Sequence, residues 1–380
     1  MKIRLTFYFV LLLLFANGLR AQKTDIHPGK LWFDTDGKVI NAHGGGILFH
    51  NGKYYWFGEH KGEHTNGAFV GVTCYSSSDL YNWDNEYIAL PVSNDPDSPI
   101  TIGCTIERPK VIYNSQTGKF VMYFHLELKG KGYTASQVAI AVSDKVTGPY
   151  RLIKNQRVNA GKWPLNMTDK QRNSELKAND FKEWWTPQWK EAIKDGLFIR
   201  RDFQGGQMSR DMTLFVDDDN KAYHIYSSED NLTLHIAELT DDYLDYTGKY
   251  IRIEPAGHNE APAIFKKDGR YFMITSGCTG WAPNAARLLM SDNIMGEWTL
   301  HPNPCQGKDS EVTFYSQSTY ILPVQNKKDA FIFMADRWMP KNPIDGRYVW
   351  LPVMFEDGMP ILKWFDKWNL DVFEEIKADH

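Results

Sequence analysis

The sequence predicts an all-β fold, a five-bladed β-propeller with one partly helical loop insertion, and three observations carry that expectation. A turn signal followed by an aromatic, β-branched run occurs five times. A short strand precedes each of these hairpins, and in four copies a third strand and an aspartate-rich turn follow. One such antiparallel meander cannot bury both of its own faces, so the copies have to stack around a common axis. The third observation is an overlong interval with helical rather than strand-like spacing, about 155–206, between the second and third copies.

In chain order, residues 1–21 read as an export signal. Met1-Lys2-Ile3-Arg4 is a basic start, 7–16 is an apolar run too short for a bilayer, and Ala21 closes a small-residue cleavage site. The expectation is a mature protein from Gln22, exported to the periplasm or the cell exterior and free of the membrane after cleavage. Residues 22–380 are expected to form a single propeller catalytic domain. Its first unit pairs GGILFH with YYWFGE across Asn51-Gly52-Lys53, and VTCYSSSDLYNW follows. The second pairs RPKVIY with FVMYFH across Thr117-Gly118-Lys119 and continues into VAIAVSDKVTGPY. The insertion comes next: SELKANDFKEWWTPQWKEAIKDGLF predicts one or two short helices. Its Trp184, Trp185 and Trp189 either line a substrate cleft or anchor the insertion to the propeller. The third unit pairs MTLFVD with AYHIYSSE, and the fourth pairs APAIF with YFMITSG across Asp268-Gly269-Arg270. The fifth pairs STYIL with AFIFMAD, and its third run, YVWLPVMF, fits the pattern more loosely.

A net charge of −4, with acids and bases interspersed, argues against nucleic acid or an anionic membrane as partner. Cys74, Cys104, Cys278 and Cys305 match no zinc spacing and are expected as buried small hydrophobes with at most one bridge. His60-Lys61-Gly62-Glu63-His64 reads more simply as a solvated loop than as a metal site. The sequence holds no nucleophile elbow, Walker A loop or zinc-protease helix.

In a propeller the innermost strand of each blade begins near one mouth of the central channel, so residues there face one another. Aligned on their turns, the five units bring Gly44, Glu107, Asp211, Glu260 and Gln317 to that position. Clustered carboxylates raise one another's pKa, which is what a general acid needs near neutral pH. Cleavage of a glycosidic bond needs such an acid on the leaving oxygen and a second group on the other face of the sugar. His43, His125 and His258 lie near the ring in sequence, either as contacts to sugar hydroxyls or as packing.

These segments resemble glycoside hydrolase family 43 along essentially the whole mature chain. The resemblance rests on AHGGGILFHNGKYYWFGE (42–59), IERPKVIYN (106–114), RDMTLFVDDD (210–219), HNEAPAIF (258–265), SGCTGWAPN (276–284) and SQSTYIL (316–322). It implies an inverting hydrolase in which Glu260 is the general acid and Asp211 tunes the pKa of that acid. The family's usual base, an aspartate before proline in the first inner strand, is replaced by Gly44-Gly45. That departure resembles the branch of exo-β-1,3-galactanases, in which a fifth-blade glutamine holds the water. Gln317 matches that glutamine, and Glu107 matches a glutamate that contacts the terminal sugar, with Glu107 as the alternative base. Glu59, Tyr133, Thr279 and Asn284 look like further substrate-binding residues. The implied activity is exo-hydrolysis of β-1,3-galactan with release of galactose. Alternatives are a β-galactofuranosidase or α-L-arabinofuranosidase of the same family, or a non-catalytic carbohydrate-binding propeller. The partner is a poly- or oligosaccharide. No cofactor or catalytic metal is implied, and a structural calcium in the channel occurs in some relatives.

Overall fold

The hairpin at the heart of each unit is set by residues that tolerate a left-handed backbone. In the computed structural model, which describes residues 22–374, Asn51 and Gly52 have φ of +48° and +82°, and Asp268 and Gly269 have +50° and +80°. They form two-residue turns between the pairs His50–Lys53 and Lys267–Arg270, whose twist matches that of the flanking strands. The expected signal peptide, 1–21, lies outside the described residues.

Five sheets result, each with its first strand innermost: His43–His50, Thr105–Asn114, Met212–Val216, Asn259–Lys267 and Gln317–Pro323. Each of these strands packs against the next, and the fifth against the first, so the ring is closed. The fold is a five-bladed β-propeller. Blade five has one strand more than the other four blades, because Cys305–Gln306 adds in parallel to the outer edge of Met359–Lys363. A two-residue strand has no periodicity to read, so the sequence did not reveal it.

Because every blade is covered on both faces, middle strands such as Gly71–Ser77 and Ala222–Ser228 are buried throughout rather than alternately. Apolar side chains fill the five joints between neighbouring blades. The joint of blades one and five is the most aromatic, with Trp56, Trp83, Tyr348 and Trp350 buried together. Trp32 caps that joint with its ring 4.9 Å from Trp350, and Ile26 pairs with Trp368 to tie the two ends of the described chain.

The insertion begins slightly later than expected. Asn155 and Gln156 still belong to the outer strand Arg151–Gln156 of blade two, and a bridge between Val158 and Gln207 closes the loop at its base. Within it, Thr186 caps the helix Pro187–Lys194, accepting from the Trp189 N–H, with Pro187 at the first helical position. That helix buries Trp189, Ala192 and Ile193, an i, i+3, i+4 stripe, against Leu197, Phe198 and Leu232.

Candidate active site

A recurring bulge opens the innermost strands and aims the site. Pairing slips by one residue after His43, Glu107 and Glu260, and Gly44, Arg108 and Ala261 take up the slip at φ of +60°, +56° and +54°. A slip occurs in blade five between Ser318 and Tyr320. This register corrects the expected ring: Gly44 corresponds to Arg108 and Ala261, and the blade-one residue matching Glu107, Glu260 and Gln317 is His43. His43 is buried, stacked on Tyr348 at 5.2 Å and 3.7 Å from the Asp336 carboxylate. Blade one instead serves the site through Glu59, at the end of its second strand. A Cβ on Gly44 would lie 2.1 Å from Glu59 Oε1, so that carboxylate fills the space a side chain at position 44 would need.

One cavity of about 360 Å³ is lined by Glu59, Glu107, Tyr133, Asp211, Glu260 and Gln317, six of the eight predicted residues. Thr279 and Asn284 do not line it. Asn284 is bonded to both backbone groups of Gly277 and to the Thr279 hydroxyl, which itself donates to Ala282 O. The pair shapes the loop that carries Trp281 to the cavity rim, and Asn284 borders a smaller pocket shared with Gln317, Trp281 and Trp338. The sequence reading missed Lys61, Arg108, Asn231 and Trp338. A legible signal existed for three of them. In an antiparallel hairpin the end of the second strand lies beside the start of the first, and YYWFGEHK, AYHIYSSEDN and FIFMADRW all run polar or aromatic there.

Opposed charges divide the cavity into two halves. On one side Glu107 accepts from the Tyr133 hydroxyl at 2.6 Å and from His125 Nδ1 at 3.0 Å, and His125 Nε2 meets Glu127 at 3.0 Å. Burial acts to raise the Glu107 carboxyl, but His125, Lys61 and Tyr133 hold it down at about 2. Burial likewise disfavours the His125 cation, yet its two carboxylates lift it to about 9. Buried Glu59 pairs with Lys61 at 2.5 Å and accepts the Arg108 N–H at 2.8 Å.

On the other side Glu260 is drawn toward its protonated form. Burial, and then the charge of Asp211, raise its pKa to about 7 against the pull of Cys278, Arg108 and Arg210. Asn231 Nδ2 donates to Glu260 Oε1 at 2.6 Å. Arg108 connects the halves: its Nε and Nη2 grip Asp211 at 3.1 and 2.7 Å, and Nη2 also reaches Gln317 Oε1 at 2.6 Å. The orientation of the Gln317 amide is thereby fixed. Its oxygen faces two groups that only donate, Arg108 Nη2 and Trp338 Nε1 at 2.8 Å, and its nitrogen donates to Ser276 Oγ at 2.9 Å. Gln317 Nε2 also comes within 3.5 Å of Glu260 Oε2. An inverting pair stands about 6.5–9.5 Å apart to admit water, so these two side chains have to part for a sugar to lie between them.

The remaining sequence candidates are placed as follows. All four cysteines are free; three are buried, while Cys278 is partly exposed beside Asn231 and Glu260, so it is not the buried small hydrophobe expected. The His60–His64 segment is used structurally, with Lys61 on Glu59 and His64 Nδ1 at 3.0 Å from Lys341 O. Among the described residues no three His, Cys, Asp or Glu are grouped to hold a metal. In the channel the Lys110 amino group donates to the carbonyls of Gly44 and Arg108 at 2.9 and 3.3 Å. Those oxygens are engaged by an amine, and such a set does not fit a calcium ion.

The family model for glycosyl hydrolases family 43 matches residues 157–360, more than half of the chain. The chain belongs to glycoside hydrolase family 43. A family 43 β-1,3-galactosidase solved with galactodeoxynojirimycin superposes with a TM-score of 0.90 at 64% identity, covering 91% of this chain and 100% of that one. An exo-β-1,3-galactanase from Phanerochaete chrysosporium, solved with β-1,3-galactotriose, gives 0.74 at 29% identity over 92% of this chain and 69% of that one. A β-D-galactofuranosidase from Aspergillus niger is 24% identical over 153 residues, which are 40% of this chain and only 44% of that enzyme.

Proposed function

We propose that this family 43 chain is an exo-acting, inverting hydrolase of β-1,3-galactan that releases galactose. The observation that carries the reading is Glu260, raised to about 7 by burial and by Asp211 and standing 3.5 Å from Gln317 in the wall of a pocket lined by carboxylates. A sugar-binding module has no use for a protonated carboxyl so placed. The substrates named for the β-1,3-galactosidase and for the Phanerochaete enzyme supply the sugar and linkage.

In this reading Glu260 protonates the glycosidic oxygen, and Asp211, fixed by Arg108, keeps that proton available. Glu107 stays ionised and receives sugar hydroxyls; a carboxyl held at about 2 is a weak proton acceptor. Gln317 holds the water on the opposite face. Its oxygen already accepts from Arg108 and Trp338, which opposes moving a proton onto that atom, so its contribution is placement of the nucleophile. The attacking water gives up its proton to solvent as the new C–O bond forms and the bond to the leaving oxygen, protonated by Glu260, breaks. Residues 1–21 direct export, and recovery of secreted protein beginning at Gln22 tests that step.

The deciding experiment incubates wild type, Glu260→Gln and Gln317→Ala with β-1,3-galactan and follows products over time. Galactose as the sole product, reduced about 10²–10⁴-fold in Glu260→Gln and strongly in Gln317→Ala, is the expected result. Aryl galactofuranoside and arabinofuranoside are run alongside, and turnover of either with galactan untouched would replace the substrate while leaving the acid in place. Sugar binding without turnover of any substrate would overturn the hydrolase reading.

A further inference from the structure

We propose that Trp185, backed by Trp184 and His258, forms a carbohydrate-binding subsite on the leaving-group side of the cavity, taking galactosyl units beyond the bond that is cut. The inference rests on the galactan reading above. Its starting point is the division of labour among the three tryptophans of the insertion. Trp189 is buried and anchors the helix Pro187–Lys194. Trp184 and Trp185 are not needed for anchoring and stand 48% and 52% exposed, stacked on or tilted against Trp189 at 5.4 and 5.2 Å. Trp185 is held at φ +68°, a left-handed backbone that a bulky side chain avoids unless its surroundings impose it.

The placement points to the acid. The Trp185 ring lies 4.9 Å from that of His258, two residues before Glu260 on the same chain. The platform is also locked to the loop that touches the acid. Leu232, buried against Trp189 and Ile193, follows Asn231, whose amide donates to Glu260 at 2.6 Å. Arg252 donates to the carbonyls of Ile193 and Lys194 at 2.7 and 2.9 Å, and its other guanidinium bonds hold Glu229 in that loop at 2.7 and 2.8 Å. Residues 229–231 of the loop all have positive φ. The exposed indoles therefore keep a fixed position relative to Glu260.

A general acid delivers its proton to the leaving oxygen, so the rest of the polysaccharide leaves the pocket past that residue. The exposed indole beside His258, which precedes the acid by two residues, offers a flat apolar face to the C–H face of a galactosyl ring, and the adjoining imidazole offers a polar edge to its hydroxyls. A β-1,3-linked galactosyl chain is the occupant of matching chemistry and is continuous with the sugar in the cavity.

The test compares Trp185→Ala and Trp185→Phe with wild type on β-1,3-galacto-oligosaccharides of increasing length, with a pH–rate profile and a melting temperature for each. Wild type is expected to gain kcat/KM with chain length. Trp185→Ala should keep the wild-type pH–rate profile and melting temperature, which report an intact acid and fold, and lose about tenfold on the longer oligosaccharides through KM. Trp185→Phe should restore most of that loss. A displaced pH–rate profile, or a loss carried by kcat instead of KM, would mean that Trp185 acts by supporting His258 and Glu260, and would overturn the subsite. So would a variant that follows wild type at every length. Failure of wild type to cleave any β-1,3-galacto-oligosaccharide would instead remove the galactan reading before the variants are compared.

Discussion

At Glu260 burial and the field of one neighbour together set the protonation equilibrium near working pH. Burial raises the carboxyl most and the negative charge of Asp211 adds to it, bringing it to about 7, while Arg108 and Arg210 oppose the rise. An acid catalyst is active in its protonated form, so kcat/KM should fall as pH rises through about 7. Asp211→Asn removes the raising charge and leaves Arg108 in place, so the alkaline limb should move to lower pH and activity at pH 7 should drop. A pH–rate profile of the variant checks this, and an unmoved limb would mean that burial alone sets the acid. The resemblance led to Glu260 and Asp211 because HNEAP and RDMTLF are local strings. Arg108 stands in a third such string, IERPKVIYN, but its link to Asp211 and Gln317 spans three blades and has no local signature.

At the scale of the element, the bulge of the first inner strand explains why Gly44 replaces the usual aspartate. The backbone at Gly44 is left-handed, and any Cβ there meets the Glu59 carboxylate. Gly45 is constrained as well, since its Cβ would lie 1.9 Å from Phe57 O. Gly44→Asp therefore restores the family's sequence but not its geometry. It should cost about 1–2 kcal/mol from backbone conformation alone, more from displacing Glu59, and it should lower activity on galactan. Thermal unfolding and galactose release measure both effects, and a variant as stable and more active than wild type would show that Glu59 yields its place without loss. The insertion is an element read correctly as helical, yet the choice between anchor and cleft wall had no single answer. Trp189 anchors, and its neighbours stay at the surface.

The whole molecule depends on closing the ring. Blades one and five meet through Trp56, Trp83, Tyr348 and Trp350, with Trp32 laid over them by the segment that pairs Ile26 with Trp368. Trp350 is 1% exposed, so Trp350→Ala leaves a large void at the joint and should destabilise by about 3–5 kcal/mol. Denaturant unfolding should show the loss. Because Gln317 and Glu59 sit on the two blades that share this joint, activity should decline at temperatures where the fold still persists. A variant that loses stability but keeps its activity up to global unfolding would show that the joint does not govern the site.

Five repeated hairpins, their turn residues and the carboxylates of the inner strands were legible in the sequence, because turn chemistry and strand alternation act over a few residues. The fold class and six of the eight predicted cavity residues followed from those short-range rules together with the family strings. The tertiary structure alone decided the exact register of blade one, the fixed amide of Gln317, the close approach of Gln317 and Glu260, and the roles of Thr279 and Asn284. Each depends on which groups from different blades come within a few ångströms of one another. A one-residue slip at a bulge changes which side chain enters the channel, and that slip is set by packing across the ring rather than by the residues at the slip itself.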